Sequence, residues 1–215
     1  MRCSTAASTP IPRTYRKLGE LTHRSAQAEV LARYADETMT TIKERVEKIP
    51  ESRRPRVYYA RGPRGLETGL GGSINVETIE FLGARNVAAE RKGGLALVSV
   101  EQVLSWNPEV VVTIDRDFAA NFRTASVWAE VAAVRAGRVH LSPKMPFGWV
   151  DFPPSVNRLI GLWWLAKILY PEQFEKHQNP FHHPLLPSLS YYRLLKVLYA
   201  QFYNLHISQC YVRLL

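Results

Sequence analysis

The chemistry that this chain could perform is concentrated in a glycine-rich segment, residues 61–73. Five glycines lie in it together with Arg61, Arg64 and Glu67. Glycine lets a backbone approach a bound group closely, and guanidinium groups bind carboxylates, phosphates and other oxyanions through paired hydrogen bonds. The segment therefore predicts a site for an anionic group. The alternative is a flexible turn with solvated arginines.

A second candidate is the loop of residues 144–151, in which Phe147 and Trp149 flank Gly148. Aromatic side chains in a loop offer a flat apolar wall to a ligand. The alternative is that both rings simply cap the hydrophobic core.

Sequence signals for catalysis or metal binding are missing. The chain contains neither a GxSxG nucleophile elbow nor a GxxxxGK[ST] phosphate loop. His177, His182 and His183 lie in a proline-rich segment without a carboxylate or cysteine at ligand spacing. Cys3 and Cys210, the two cysteines, indicate neither a disulfide framework nor a zinc site. We therefore expect no catalytic residue, no metal and no cofactor.

The elements that position the candidate loops follow from apolar periodicity. Residues 25–49 contain no glycine or proline and carry apolar residues at spacings of three and four. This pattern predicts one long helix, with Ser25 as N-cap and Pro50 just beyond its end. Further helices are predicted over residues 14–21, 74–82, 100–106, 127–134, 153–169 and 191–203, where Ser73 and Ser99 are the expected N-caps and Gly83 the expected C′ residue.

Strands are predicted at residues 56–60, 110–114 and 138–141, because these segments are rich in β-branched and aromatic residues. Strands that alternate with helices predict an α/β fold, a parallel sheet with helices on its faces. In such sheets ligands bind beyond the carboxyl ends of the strands. We therefore expect the loops after Ala60, Ile114 and Leu141 to meet.

Composition limits the classes of function that this chain could have but does not identify one of them. The chain has 215 residues, 46% hydrophobic residues and a formal charge of +9, so one core is expected and nucleic acid, an acidic membrane surface or a small anion could be attracted. The apolar run at residues 159–169 is about half of a membrane span and contains Lys167, which predicts a buried helix. The N-terminus lacks the apolar core of a secretion signal.

The order of several segments resembles a known family. The long helix is followed by Arg-Val-Tyr-Tyr-Ala-Arg-Gly at 56–62, Ser-Val-Glu-Gln-Val-Leu at 99–104, Asn-Pro-Glu-Val-Val-Val at 107–112 and Phe-Gly-Trp-Val-Asp at 147–151. This arrangement is similar to the class III periplasmic substrate-binding proteins of ABC importers. These carry iron-siderophore complexes, haem, cobalamin or related metal chelates.

The resemblance implies a division into residues 1–50, an N-terminal segment with the helix that joins two lobes, and residues 51–215, a C-terminal α/β ligand-binding lobe. The family's preceding lobe and secretion signal are absent from this sequence, which suggests a truncated chain that presents half of a cleft. The resemblance further implies a periplasmic location. Self-association through the exposed lobe face is also expected, because apolar surface would otherwise meet water.

Residue roles also follow from the resemblance. Arg61, Arg64, Glu67 and Trp149 would line this lobe's half of the cleft, and Glu101 would dock on the permease subunits of the importer. The expected ligand is an iron-siderophore, haem, cobalamin or an oxyanion, bound without chemistry. No nucleic-acid partner is expected.

Two other functions stay open at this point. A small α/β enzyme could act on a phosphorylated or acidic substrate at the glycine-rich segment. A basic nucleic-acid-binding module would show affinity that falls steeply with salt.

Overall fold

The structure is a computed structural model that describes residues 11–124, 126–144, 147–152 and 156–174. Within this part of the chain, parallel strands form one central sheet and a separate antiparallel pair forms a small ribbon. The strands are β1 (Arg56–Ala60), β2 (Glu67–Gly69), β3 (Arg85–Asn86), β4 (Leu95–Leu97), β5 (Val110–Thr113) and β6 (Val139–Leu141). The sheet order is β3-β1-β5-β6, and the ribbon pairs β2 with β4.

Helices pack on both faces of the sheet. They are α1 (Ile11–Leu21), α2 (Ser25–Glu47), α3 (Glu77–Phe81), α4 (Val100–Trp106), α5 (Arg116–Asn121), α6 (Ala132–Arg135), α7 (Arg158–Leu169) and α8 (Pro171–Phe174). The predicted α/β class with a parallel sheet is confirmed. Among the described helices, none combines the length and the apolar character that crossing a membrane requires.

Alternating strand residues divide the core into two clusters. On the first face, Val57 and Tyr59 of β1 pack with residues of α2, α3 and α7. On the second face, Tyr58 and Ala60 pack with residues of α4, α5 and α6. Successive side chains of a strand point to opposite sides, so one short buried strand serves both cores.

The long helix is confirmed as α2, but Ser25 is not its N-cap. Arg24 holds that position without a side-chain cap, and Ser25 is the first helical residue. The packing of α1 sets this start, because a Cβ at Gly19 would overlap the Cβ of Ala28 and the chain reverses at His23, whose φ is 56°. Tertiary contact between two helices therefore replaces the usual side-chain cap.

Two other helix predictions are corrected. Residues 73–76 form a turn, in which the Ser73 hydroxyl accepts from the Asn75 amide at 3.3 Å, so α3 begins only at Glu77, although Gly83 ends it with φ 65° as predicted. The segment 126–130 is a 3₁₀ turn that precedes the short α6, because the Ala132 amide donates to the Asn107 side chain at 3.0 Å. Helix α5 was not predicted.

Several predictions hold closely. Ser99 caps α4 by accepting from the Gln102 amide at 3.2 Å, and Asn107 ends that helix in the left-handed region. The apolar run at residues 159–169 is buried in α7. The helix predicted over residues 153–169 begins later than expected, since α7 starts at Arg158 with Asn157 as its N-cap. The predicted helix at 191–203, the three clustered histidines and both cysteines lie outside the described residues.

Candidate ligand-binding site

The register of the sheet brings the predicted loops together. Ala60 of β1 pairs with Thr113 of β5, and Thr113 pairs with Leu141 of β6. The three strands thus end side by side, and the residues that follow them emerge at one edge. The loops after β1 and β6 meet there, since Nε of Arg61 lies 3.6 Å from Oδ2 of Asp151.

The first loop folds back on itself directly after β1. Arg61 donates its amide to the Glu67 carbonyl at 2.8 Å, and the Glu67 amide donates back to the Arg61 carbonyl at 3.2 Å. Gly62 and Gly65 have φ of 73° and 70°, which only glycine adopts without strain, and they make the tight turn between these two residues. The Arg61 and Glu67 side chains therefore start next to each other, and Nη1 of Arg61 lies 3.1 Å from Oε2 of Glu67.

Asp151 is the buried centre of the site. Only 1% of it is exposed, and its Oδ2 accepts from the Tyr59 hydroxyl and from Nδ2 of Asn75, both at 2.8 Å. Nε of Arg61 lies 3.6 Å from the same oxygen. Burial, and then the neighbouring charge of Asp151, raise the pKa of Tyr59 well above its usual value. The phenol therefore remains a hydrogen-bond donor to the carboxylate.

Small residues hold the Asp151 loop against the helix that follows it. A Cβ at Gly161 in α7 would overlap the Trp149 carbonyl oxygen. A Cβ at Gly148 would overlap the carbonyl oxygen of Asp151. Nδ2 of Asn157 donates to the Phe147 carbonyl at 3.1 Å. The position of Asp151 is therefore fixed by backbone packing.

The Arg61 guanidinium is poorly satisfied for a buried cation. Its side chain is 13% exposed, yet within the described residues its Nε and Nη1 make no hydrogen bond, because the two carboxylates are close but badly aligned. The ring of Phe152 lies 6.0 Å from its Cζ and 5.3 Å from Nζ of Lys144. Arg61 therefore has unsatisfied but buried donor groups, beside an exposed aromatic ring and a second cation.

The glycine amides of the same loop are largely engaged. The Gly65 amide donates to the Gly62 carbonyl at 2.9 Å, that of Gly71 to the Arg91 carbonyl at 2.9 Å and that of Gly72 to Glu80 at 3.1 Å. These three amides are not free to bind an anion.

The structure places the other expected ligand residues less centrally. Arg64 is exposed in the turn after Arg61 and forms no ion pair among the described residues. Trp149 is half-buried two residues before Asp151, and its amide donates to the Pro143 carbonyl at 3.1 Å. A direct role for either residue stays a prediction.

Glu101 stands apart from this cluster. It is exposed in the first turn of α4. Hydrogen bonds from its own backbone amide and from Ser99 hold the pKa of its carboxyl below the usual value. An ionised, accessible carboxylate at this position suits contact with a cationic partner surface.

Three site residues were not singled out from the sequence: Asn75, Asp151 and Phe152. One signal was present, since Asp151 is the single acidic residue of the loop of residues 144–151. Asn75 and Phe152 carry no such signal. Within the described residues, no group of three histidine, cysteine or carboxylate side chains could hold a metal ion.

The chain is similar to known solute-binding proteins. The molybdate-binding protein MolA from Haemophilus influenzae is 31% identical over 160 residues, which are 74% of this chain and 45% of MolA. An ABC transporter solute binding protein from Sulfurospirillum deleyianum matches with a TM-score of 0.76 and 30% identity, covering 94% of this chain and 59% of that chain. The structure of MolA bound to molybdate matches with a TM-score of 0.63 and 27% identity, covering 92% and 56%.

The chain spans about half the length of the curated relatives it matches. A protein-family model described as "Periplasmic binding protein" matches residues 4–145, about two thirds of the chain. Together with the parallel sheet, this match confirms the family resemblance inferred from the segment order. The chain belongs to the periplasmic binding protein family.

Proposed function

We propose that this chain is part of the substrate-binding component of an ABC importer and that it captures a small anionic ligand at Arg61. One observation carries the proposal. Arg61 is nearly buried at the carboxyl end of a central strand, and two of its nitrogens have no hydrogen bond within the described residues. A buried guanidinium with open donors gains more from an oxyanion or carboxylate than a solvated one does.

The proposed ligand is an iron-siderophore or a similar metal-chelate or anionic ligand, as the family resemblance implies. A bare oxyanion is the second candidate, because MolA, 31% identical to this chain, is named a molybdate-binding protein. Both would place negatively charged oxygens at Arg61. They differ in bulk and apolar surface, which a chelate would bring to Phe152 and Trp149.

A calorimetric titration of the chain against molybdate, a ferric siderophore, haem and cobalamin tests this proposal. We expect one ligand to bind saturably and Arg61→Gln to weaken that binding by at least tenfold, since a charged hydrogen bond is worth about 1.5 to 3 kcal/mol. Arg135→Gln is the matched control, because Arg135 is exposed and ion-paired to Glu130. Equal binding by both variants would refute Arg61 as the anchor.

Tryptophan fluorescence with Trp149→Phe locates the aromatic contribution in the same titration. If Trp149 lines the site, ligand quenching decreases in this variant while the guanidinium-dependent binding persists. Unchanged quenching would assign the signal to another tryptophan. Arg64→Gln is expected to have a smaller effect than Arg61→Gln, since Arg64 is exposed.

Docking on the permease is assigned to Glu101. An exposed carboxylate with a lowered pKa stays ionised near neutral pH and attracts arginine or lysine side chains. In a full-length protein that supports uptake, Glu101→Ala is expected to leave ligand affinity intact and to reduce transport. Normal transport by this variant would show that the docking assignment is wrong.

The remaining parts of the proposal follow from the family. Function is capture and handover without catalysis, in the periplasm. Exposed apolar side chains such as Ile74 and Leu97 favour self-association of the isolated chain. A molecular mass that rises with protein concentration in light scattering would support it, and a constant monomer mass would contradict it.

A further inference from the structure

We propose that Glu67 occupies the anion position at Arg61 in the unliganded protein and that an incoming ligand must displace its carboxylate. This inference rests on the proposed function and assigns Glu67 a role beyond lining the cleft. Glu67 would then set the minimum affinity for the Arg61 guanidinium that an anion needs in order to bind.

The two carboxylates that flank Arg61 are not equivalent. Asp151 is 1% exposed and is fixed by hydrogen bonds from Tyr59 and Asn75. The Glu67 side chain is 37% exposed, and among the described residues its carboxylate has no hydrogen bond and no ion pair other than the contact with Arg61. Asp151 is therefore a permanent support, whereas Glu67 is held by a single contact.

The ion pair between Arg61 and Glu67 is weak although its two atoms are close together. Nη1 of Arg61 lies 3.1 Å from Oε2 of Glu67 but makes no hydrogen bond within the described residues. The contact contributes little free energy, because its alignment does not allow a hydrogen bond and the partly exposed Glu67 side chain loses entropy when it is ordered. An anion that meets the guanidinium with good alignment can therefore replace it.

The surroundings allow the glutamate to move while the backbone stays. Thr68 and Gly69, which follow it in β2, are buried and paired with β4. Leu97, directly across the ribbon from Glu67, is 75% exposed. The carboxylate therefore lies at the solvent edge of a fixed strand and can turn outward without disturbing the core.

The charges around Arg61 predict whether removal of the Glu67 charge strengthens or weakens anion binding. Arg61 and Lys144 supply two positive charges around Phe152, and Glu67 and Asp151 supply two negative charges. An entering anion would find a neutral cluster unless one carboxylate withdraws. Removing the charge of Glu67 should therefore strengthen anion binding, although Glu67 itself belongs to the site.

Calorimetric titration of the full chain with sodium molybdate tests the inference, with wild type, Glu67→Gln and Glu130→Gln compared. Glu130 is the matched control, an exposed glutamate paired with Arg135 in the turn before α6. We expect Glu67→Gln to bind roughly two- to fivefold more tightly and Glu130→Gln to match wild type. The gain should shrink as salt is raised, because screening weakens the competing charge.

The outcomes separate this inference from the proposed function. Arg61-dependent binding in wild type, with equal or weaker binding by Glu67→Gln, would overturn the displacement role and leave the proposed function standing. Absence of binding to wild type and to both variants, with the other ligands of the panel also silent, would overturn both. A lower unfolding midpoint together with weaker binding in Glu67→Gln would identify a structural role instead.

Discussion

Tyr58 and Tyr59 are adjacent, fully buried and located on opposite faces of the sheet. Burial raises the pKa of both phenols above the usual value. Tyr58 donates its hydroxyl to the Gly65 carbonyl at 2.8 Å, whereas Tyr59 donates to the Asp151 carboxylate at 2.8 Å. The same residue type thus secures a turn on one face and supports a charged site on the other.

The comparison shows how one strand serves stability and binding together. On the second face, Tyr58 packs among aromatic rings, with Trp106 and Trp128 centroids each 6.2 Å away, and its hydroxyl satisfies a backbone carbonyl. On the first face, the hydroxyl of Tyr59 is one of the groups that make a buried carboxylate tolerable beside Arg61. The first face should therefore couple folding to binding more strongly than the second.

The largest loss of stability is expected when the buried Asp151 carboxylate on the first face is removed. Asp151→Ala leaves the Tyr59 hydroxyl and the Asn75 amide without an acceptor and removes the buried negative charge next to the Arg61 guanidinium. We expect the free energy of unfolding to fall by about 3 to 5 kcal/mol in urea denaturation. Asp117→Ala, at an exposed carboxylate of α5, should change it by less than about 0.5 kcal/mol.

A paired substitution of the two tyrosines sharpens the contrast. Tyr59→Phe removes a hydrogen bond to a charged group and is expected to cost about 1.5 to 3 kcal/mol, while Tyr58→Phe removes a neutral one and should cost about 0.5 to 1.5 kcal/mol. Ligand affinity should fall only in Tyr59→Phe. Equal costs in thermal unfolding and equal affinities would show that the two faces do not differ in this way.

The smallest effect is a pH dependence on the first face. His140 follows Val139, which packs on the second face, so strand alternation directs it to the first. Burial, and then the charge of Arg138, lower the pKa of His140. The unfolded chain therefore takes up a proton at higher pH than the folded protein does, and stability falls as the pH drops through about 6.5.

Thermal unfolding at pH 7.5 and 5.5 measures this effect. Wild type should lose more stability between these values than His140→Gln, which cannot titrate. Equal losses would show that other groups account for the pH dependence.

Much of the fold could be predicted because it depends on local rules. The strand at Arg56–Ala60, the Ser99 cap and the end of the helix at Trp106 were all predictable from residue type and spacing. The ribbon of β2 and β4 was missed, since each strand has three residues and its partner lies far along the chain. The prediction of Ser25 as the N-cap of α2 was wrong because packing against α1 determines where that helix begins. The prediction of a helix over 127–134 was wrong because a hydrogen bond to the Asn107 side chain starts α6 only at Ala132.

The site was predictable in the same uneven way. Arg61 and Glu67 stood out because glycines surround them, and their pairing across a tight turn is local. Asp151 was one acidic residue among many candidates, and its role requires Tyr59 and Asn75, which are 92 and 76 residues away in the chain.

Local sequence patterns were enough to predict an α/β lobe with three loops at the carboxyl ends of its strands and an arginine in the first of them. Helix periodicity and strand composition are properties of short segments, so they survive without tertiary information. Long-range packing was needed to show that Asp151 lies next to Arg61 and that the Glu67 carboxylate lies on the other side of the guanidinium. Backbone packing, such as that of Gly161 of α7 against the Trp149 carbonyl, helps to position the Asp151 loop, and no local pattern encodes it.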